Sequence, residues 1–283
     1  MSVNINGSTG VSLVQDGVIV TADMASSVPL GTKNKIINGN LGINQRAVTG
    51  SVVLAAGVYG HDRWKAGASG CSYTFATTAN VTTITISAGS LLQVIEGLNL
   101  QSGTHTLSWT GTATAKIGGG SYSASGVTGT VTGGTNMTID FSTGTLSLVQ
   151  LEEGSTATPF EHRMYGQELS LCQRYFQMLG GDTTFSASHA WATGAVFNTT
   201  DCWMSYQLPT TMRASPTITN DISSGVVQMI SDGTKTVSAL NSFSFNAKGG
   251  RFKAVITGGV SGYSGVLQAV DSDGNYIKFA AEL

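Results

Sequence analysis

The residues able to do chemistry are few and scattered. Sixteen Asp and Glu, fourteen Lys and Arg, four His and three Cys are spread over 283 residues, whereas an active site needs such groups to converge. The chain has no G-x-S-x-G elbow, no H-E-x-x-H pair, no phosphate loop ending in Gly-Lys-Ser/Thr and no dinucleotide fingerprint. The usual nucleophile, metalloprotease and nucleotide chemistries therefore have no anchor, and no catalytic residue is assigned. Glu152-Glu153 is an adjacent acidic pair. A glycoside hydrolase sets two carboxylates across its substrate, but on a strand neighbouring side chains point to opposite faces, so this pair meets only if it lies in a turn. Asp271-Ser-Asp-Gly-Asn opens like a calcium loop, in which alternate oxygens surround a hard cation. With Glu282 too near the terminus to close that loop, a hairpin turn is expected. Asn38, Asn40 and Asp140 are the nearest other oxygen donors. Their spacing demands no metal, so neither a metal nor any other cofactor is assigned.

Binding needs less than catalysis. Sugars are held by exposed aromatic faces flanked by hydroxyl or amide donors. Trp64 and Trp109 fall on apolar alternating faces and are expected in the core, and Tyr175 and Phe176 are expected to pack at a strand start. His189 and Trp191, in Ser186-Ala-Ser-His-Ala-Trp-Ala-Thr-Gly, and Tyr263, in Gly258-Gly-Val-Ser-Gly-Tyr-Ser-Gly, sit among residues too small to bury a large ring. These three are the candidate ligand-binding residues, with Trp191 reading equally well as the core tryptophan of its own strand.

Composition describes the protein that must position them. Only 11% of residues are charged, hydrophobic residues reach 41%, and there are 37 Gly but 4 Pro. Ordinary domains carry about a quarter charged residues, so short polar side chains replace Lys and Glu here, in a chain apolar enough to bury a core. A net charge of −2 and the absence of a basic run give no footprint for nucleic acid. No window resembles a membrane span or a signal peptide, so neither membrane insertion nor export by the usual route is expected. Cys71, Cys172 and Cys202 are too few for a disulfide framework and suit buried thiols in a reducing cytosol.

Residues 1–33 read as a short N-terminal attachment segment, with small strands, Gly turns and a Ser-Ser-Val-Pro-Leu-Gly linker. Over 34–164 the period is two. Thr82, Ile84 and Ile86 share a face, as do His105, Leu107 and Trp109, and Met137, Ile139 and Phe141, with hydroxyl residues opposite. Gly118 to Gly120, Gly126, Gly129 and Gly133-Gly134 read as turns. The expected fold is all-β, a jelly-roll sandwich here followed by a second β-sandwich over 165–283. Tyr165 to Leu171 is the one plausible helical turn between them. In the second region Trp203, Ser205 and Gln207 alternate with Met204, Tyr206 and Leu208, and Phe252, Ala254 and Ile256 with Arg251, Lys253 and Val255. Ile277 and Phe279 oppose Tyr276 and Lys278, and Asp232-Gly233 and Asp273-Gly274-Asn275 are hairpin signals among about eight strands.

The stretch LSLVQLEEGSTATPFEHRMYGQELSLCQRYFQ, from Leu146 to Gln177, together with KIINGNLGINQR from Lys35 and HDRW from His61, resembles a carbohydrate-binding-like module in the distal parts of phage tail fibres and related receptor-binding proteins. The resemblance implies a non-catalytic attachment subunit, a homotrimer in the virion tail, assembled in the host cytoplasm. It also implies anchorage through the N-terminus to an upstream fibre or baseplate protein and binding to a bacterial surface glycan through residues after about Tyr165. A short polysaccharide depolymerase is the alternative, although such enzymes usually use β-helices whose coil repeat is missing here. A purely structural fibre or baseplate part is the other.

Overall fold

A computed structural model describes residues 33–180, 189–222, 227–269 and 276–283. The expected attachment segment thus lies outside the described residues. What is described is all-β, with every strand pair antiparallel. Among the described residues no helix is long and apolar enough to cross a membrane.

The first half is a single eight-stranded sheet. Its strands are β1 (Val52–Leu54), β2 (Lys65–Thr78), β3 (Val81–Ile95), β4 (Gly103–Thr110), β5 (Ala115–Ile117), β6 (Val127–Val131), β7 (Met137–Phe141) and β8 (Gly144–Glu153). The fifteen-residue β3 makes it curl, because one end, Ile84 to Ile86, pairs with β8 while the other, Leu91 to Ile95, pairs with β7. One strand thereby feeds two layers, and a sandwich forms without a second separate sheet. The alternation read from sequence fills it: Ile84, Ile86, Leu107, Trp109, Ile139 and Phe141 are buried, with Phe141 edge-on to Trp64 and Trp109 at 5.9 and 5.1 Å between centroids. Gly129, expected in a turn, lies inside β6. A Cβ there would stand 3.0 Å from Ile117 of β5, so the glycine permits close approach of the two layers.

The helix α1 (Tyr165–Gln173) runs two residues past the expected turn and leads into β9 (Phe176–Gly180). Beyond it lie β10 (His189–Val196), β11 (Asp201–Gln207), β12 (Thr217–Asp221), β13 (Val227–Ile230), β14 (Thr234–Thr236), β15 (Ala239–Asn246), β16 (Gly249–Val255), β17 (Ser264–Ala269) and β18 (Tyr276–Ala280). A seven-stranded sheet, ordered β14-β13-β17-β10-β11-β16-β15, faces a three-stranded one, β12-β18-β9. Apolar residues of both share one core, where Phe279 of β18 stacks on Tyr206 of β11 with centroids 5.7 Å apart. Asp232-Gly233 turns the β13–β14 hairpin as expected, with Gly233 at φ +143°. Asp273-Gly274-Asn275, the other expected hairpin turn, lies outside the described residues; the flanking strands β17 and β18 belong to different sheets.

Candidate ligand-binding site

The charged motifs of the first half fold inward. Glu152 and Glu153 stay on β8 and point apart. Glu153 pairs with Lys35 at 3.1 Å, while buried Glu152 accepts from the Thr158 amide at 2.8 Å, the Thr158 hydroxyl at 2.6 Å and Gln150 Nε2 at 2.8 Å. The Pro-Phe-Glu-His-Arg segment then clamps the KIINGN segment. Glu161 accepts from the Asn34 amide at 2.7 Å, Arg163 donates to the Ile36 carbonyl at 2.8 Å, and Glu168 of α1 accepts from the Asn38 amide. Asn38, at φ +58°, donates to the carbonyls of Ile43 and Asp62 at 2.8 and 3.0 Å and accepts from the Ile43 amide at 2.9 Å, which occupies its whole side chain.

Between the halves lies a junction of buried charge. Glu282 accepts from Arg46 at 2.9 Å and from Arg63, whose guanidinium also lies 3.6 Å from the Tyr175 ring centroid. Arg46 stands over the Phe176 ring at 3.7 Å and reaches Asp62 at 3.4 Å. Glu282 occupies the twelfth position counted from Asp271 as the first, the place of the closing carboxylate in a calcium loop. Both its oxygens are instead on guanidiniums, and β18 runs from the sixth position onward. Burial pushes Asp62 up to about 6 and Tyr59 up to about 12, and it pushes His61 down to about 4. Such shifts often mark active sites. Here Tyr59 donates to the Leu283 carbonyl and Asp62 holds Gln45 and Arg46, which reach Phe176 and Glu282, so these two help join the halves, whereas His61 packs on Tyr73 and Phe75 within the first sheet. Burial also raises all three thiols, Cys71 and Cys202 to about 11, which leaves them unreactive. Among the described residues no three His, Cys, Asp or Glu side chains come together as metal ligands would.

The far end of the second sandwich is built differently. The β10–β11 turn is fixed by Asn198, whose side-chain oxygen accepts from the Thr200 and Asp201 amides, both at 2.8 Å. The β16–β17 loop is laced to it through Gly259 N to Thr199 O at 3.0 Å, Gly262 N to Val196 O at 2.9 Å, Val196 N to Tyr263 O at 2.8 Å and Ser261 Oγ to Phe197 O at 2.9 Å. Two loops thus form one fixed tip, and from it Phe197, Val260 and Tyr263 project, 65%, 46% and 52% exposed. An apolar trio held in water by a hydrogen-bonded frame is the pattern of an interaction surface. β11 leaves this tip at Asp201, and soon after its other end Arg213 N donates to Arg174 O of the junction at 2.7 Å. Seven strand residues span roughly 23 Å, so tip and junction are at opposite ends of the sheet.

Beside the tip the outer face of the seven-stranded sheet carries an open groove of about 630 Å³, lined by Thr193, Ser205, Ile230, Ser231, Ser264 and Val266 among others. Register explains it. Thr193 opposes Ser205 on one side and Val266 on the other, and Val266 opposes Ile230, so small residues make the floor and larger ones rise beside it. Trp203 opposes Ala195, and Arg251, opposite Ser205, lies over the Trp203 ring at 4.8 Å.

Of the three candidates, Tyr263 lies at this tip. Trp191 is 4% exposed in the core. The pairing of β10 with β17 shifts register between Ala190 and Ala192, and this bulge turns inward a side chain that strict alternation from exposed Thr193 would face outward. His189 pairs through its backbone with Ala269, and its side chain lies outside the described part. Phe197 and Trp203 were not among the candidates. The signal for Trp203 was its place in alternation with Ser205 and Gln207, the polar face of β11. No protein-family model matches the chain, and no curated protein matches its sequence.

Proposed function

We propose that this protein is a non-catalytic attachment protein, the receptor-binding subunit of a bacteriophage tail fibre or tail-like particle, which holds a bacterial surface glycan in the groove beside Tyr263. The observation that carries the reading is the pairing of a fixed, exposed aromatic tip with a hydroxyl-lined groove, at the end of the sheet opposite the junction. Stacking on Tyr263 or Phe197 is worth about 1 kcal/mol per ring, and Thr193, Ser205 and Ser264 offer donors and acceptors to sugar hydroxyls. The acidic pair that a depolymerase reading would use is committed elsewhere, Glu152 to Thr158 and Glu153 to Lys35. The strand edges at β14 and β15 suit coverage by other copies in a homotrimer.

The test is binding of fluorescently labelled protein to host cells, with light scattering on the same sample. Tyr263→Ala and Phe197→Ser together should weaken binding about tenfold or more while the protein stays folded and trimeric. Unchanged binding by the double variant removes the groove from the reading, a monomer removes the fibre, and release of shorter chains from host polysaccharide replaces attachment by depolymerisation.

A further inference from the structure

Charge is scarce in this chain, and every arginine but one is tied down internally. Arg46, Arg63, Arg163 and Arg174 pair with carboxylates, and Arg213 donates to the carbonyls of Ala281 and Glu282. Arg251 differs. It is exposed, and among the described residues it makes no hydrogen bond or ion pair; its one partner is the face of Trp203. The charges around the groove otherwise cancel, Lys253 with Asp201 at 3.3 Å and Lys235 with Asp232 at 3.4 Å. Arg251 therefore presents its charge with no carboxylate paired to it among the described residues, cross-strand from the groove-lining Ser205.

We propose that Arg251 reads an acidic substituent of the glycan, so that the groove selects a carboxylate-bearing sugar over its neutral counterpart. The inference rests on the glycan-binding reading and sharpens it. Directly opposed side chains stand roughly 5 Å apart, so a sugar bonded to Ser205 brings a ring carboxylate within reach of the guanidinium. The Trp203 ring face, 4.8 Å from the guanidinium carbon, takes up none of its N–H donors, and a fork held by a ring loses less freedom when it grips a carboxylate. A charge-assisted pair of this kind changes affinity about tenfold to a hundredfold.

An array of acidic bacterial capsular and lipopolysaccharide glycans, each printed beside its carboxyl-reduced form, tests this. The native protein should prefer the acidic forms by tenfold or more, less so as salt rises. Arg251→Gln should erase the preference, Arg251→Lys should keep part of it, and Tyr263→Ala should weaken both forms alike. Arg251 is exposed, so an unchanged melting temperature is expected and serves as the folding control. Equal binding of acidic and reduced forms by the native protein, with Tyr263→Ala still weakening both, overturns the acidic selection and leaves the glycan reading standing. No effect of either variant, or no binding to any printed glycan, overturns both.

Discussion

The junction and the groove use the same residue types to opposite ends. At the junction Arg63 and Asp62 are buried and Glu282 is half-buried beside them, and Arg63 is tied through its two terminal nitrogens to Glu282 and the Val94 carbonyl. At the groove Arg251 stands in water on a tryptophan, and the floor is hydroxyl and glycine. A protein with this few charges places them where they fix geometry. A buried ion pair adds little net stability, yet leaving one partner behind is costly, so the junction is specific to one docking of the two halves. In the groove Ser231 Oγ donates to the Ser264 carbonyl at 3.1 Å, while the hydroxyls of Thr193, Ser205 and Ser264 are left to a ligand. Perturbed protonation therefore accompanies packing at the junction, whereas the exposed cation that rests on a tryptophan face is the one placed for binding.

Removing one partner at the junction should have the largest effect. Glu282→Ala leaves the buried guanidinium of Arg63 facing no carboxylate and should cost about 3 to 5 kcal/mol, a fall in melting temperature of roughly 10 °C. Replacing both partners, as Arg63→Met with Glu282→Leu, should cost less than the single change. If the single variant melts within two degrees of the native protein, the junction is not a lock.

Acid should act on the same region. His61, 1% exposed with Nδ1 3.0 Å from the Tyr73 hydroxyl, has its pKa lowered by burial to about 4. Its neutral form belongs to the fold, so the stability it contributes is fully present above the unfolded value of about 6.5 and is lost as pH falls to 4, up to about 3 kcal/mol. Asp62, raised by burial to about 6, works in the other direction. Its contribution is present below the unfolded carboxylate value and lost as pH rises through 6, so the two oppose each other between 4 and 6. Urea midpoints at pH 7 and 4.5 should fall less in His61→Gln than in the native protein, and equal falls would show that another group sets the acid limb.

Asn38→Ala should come next, at about 2 kcal/mol. It strands the Ile43 amide and two carbonyls at a backbone angle that Asn tolerates better than Ala. Recovery of part of the loss in Asn38→Gly, measured by denaturant melts, separates the backbone part from the hydrogen bonds.

Period-two alternation placed Ile84, Leu107, Phe252 and Phe279 in the core because strand side chains can only alternate, and Tyr263 was legible as exposed because its glycine and serine neighbours offer nothing to bury it. Trp191 was ambiguous because a bulge reverses the alternation on which any such reading rests. The junction was illegible for another reason. Arg63 and Glu282 are 219 positions apart, and a pair that distant leaves no local pattern.

The smallest stability change belongs at the tip, where the contrast with the junction is sharpest. Phe197 and Val260 are 65% and 46% exposed, and the frame beneath them is made of backbone bonds and the Asn198 and Ser261 side chains. Phe197→Ser and Val260→Ser remove apolar surface that already faces water, so each should shift stability by less than about 0.5 kcal/mol. Asn198→Ala, by contrast, strands the Thr200 and Asp201 amides and should cost about 1 kcal/mol while loosening the loop that carries Phe197. If the two serine variants melt lower than Asn198→Ala, the apolar trio is itself a packed element of the fold, and the tip ceases to be a surface kept open for a ligand.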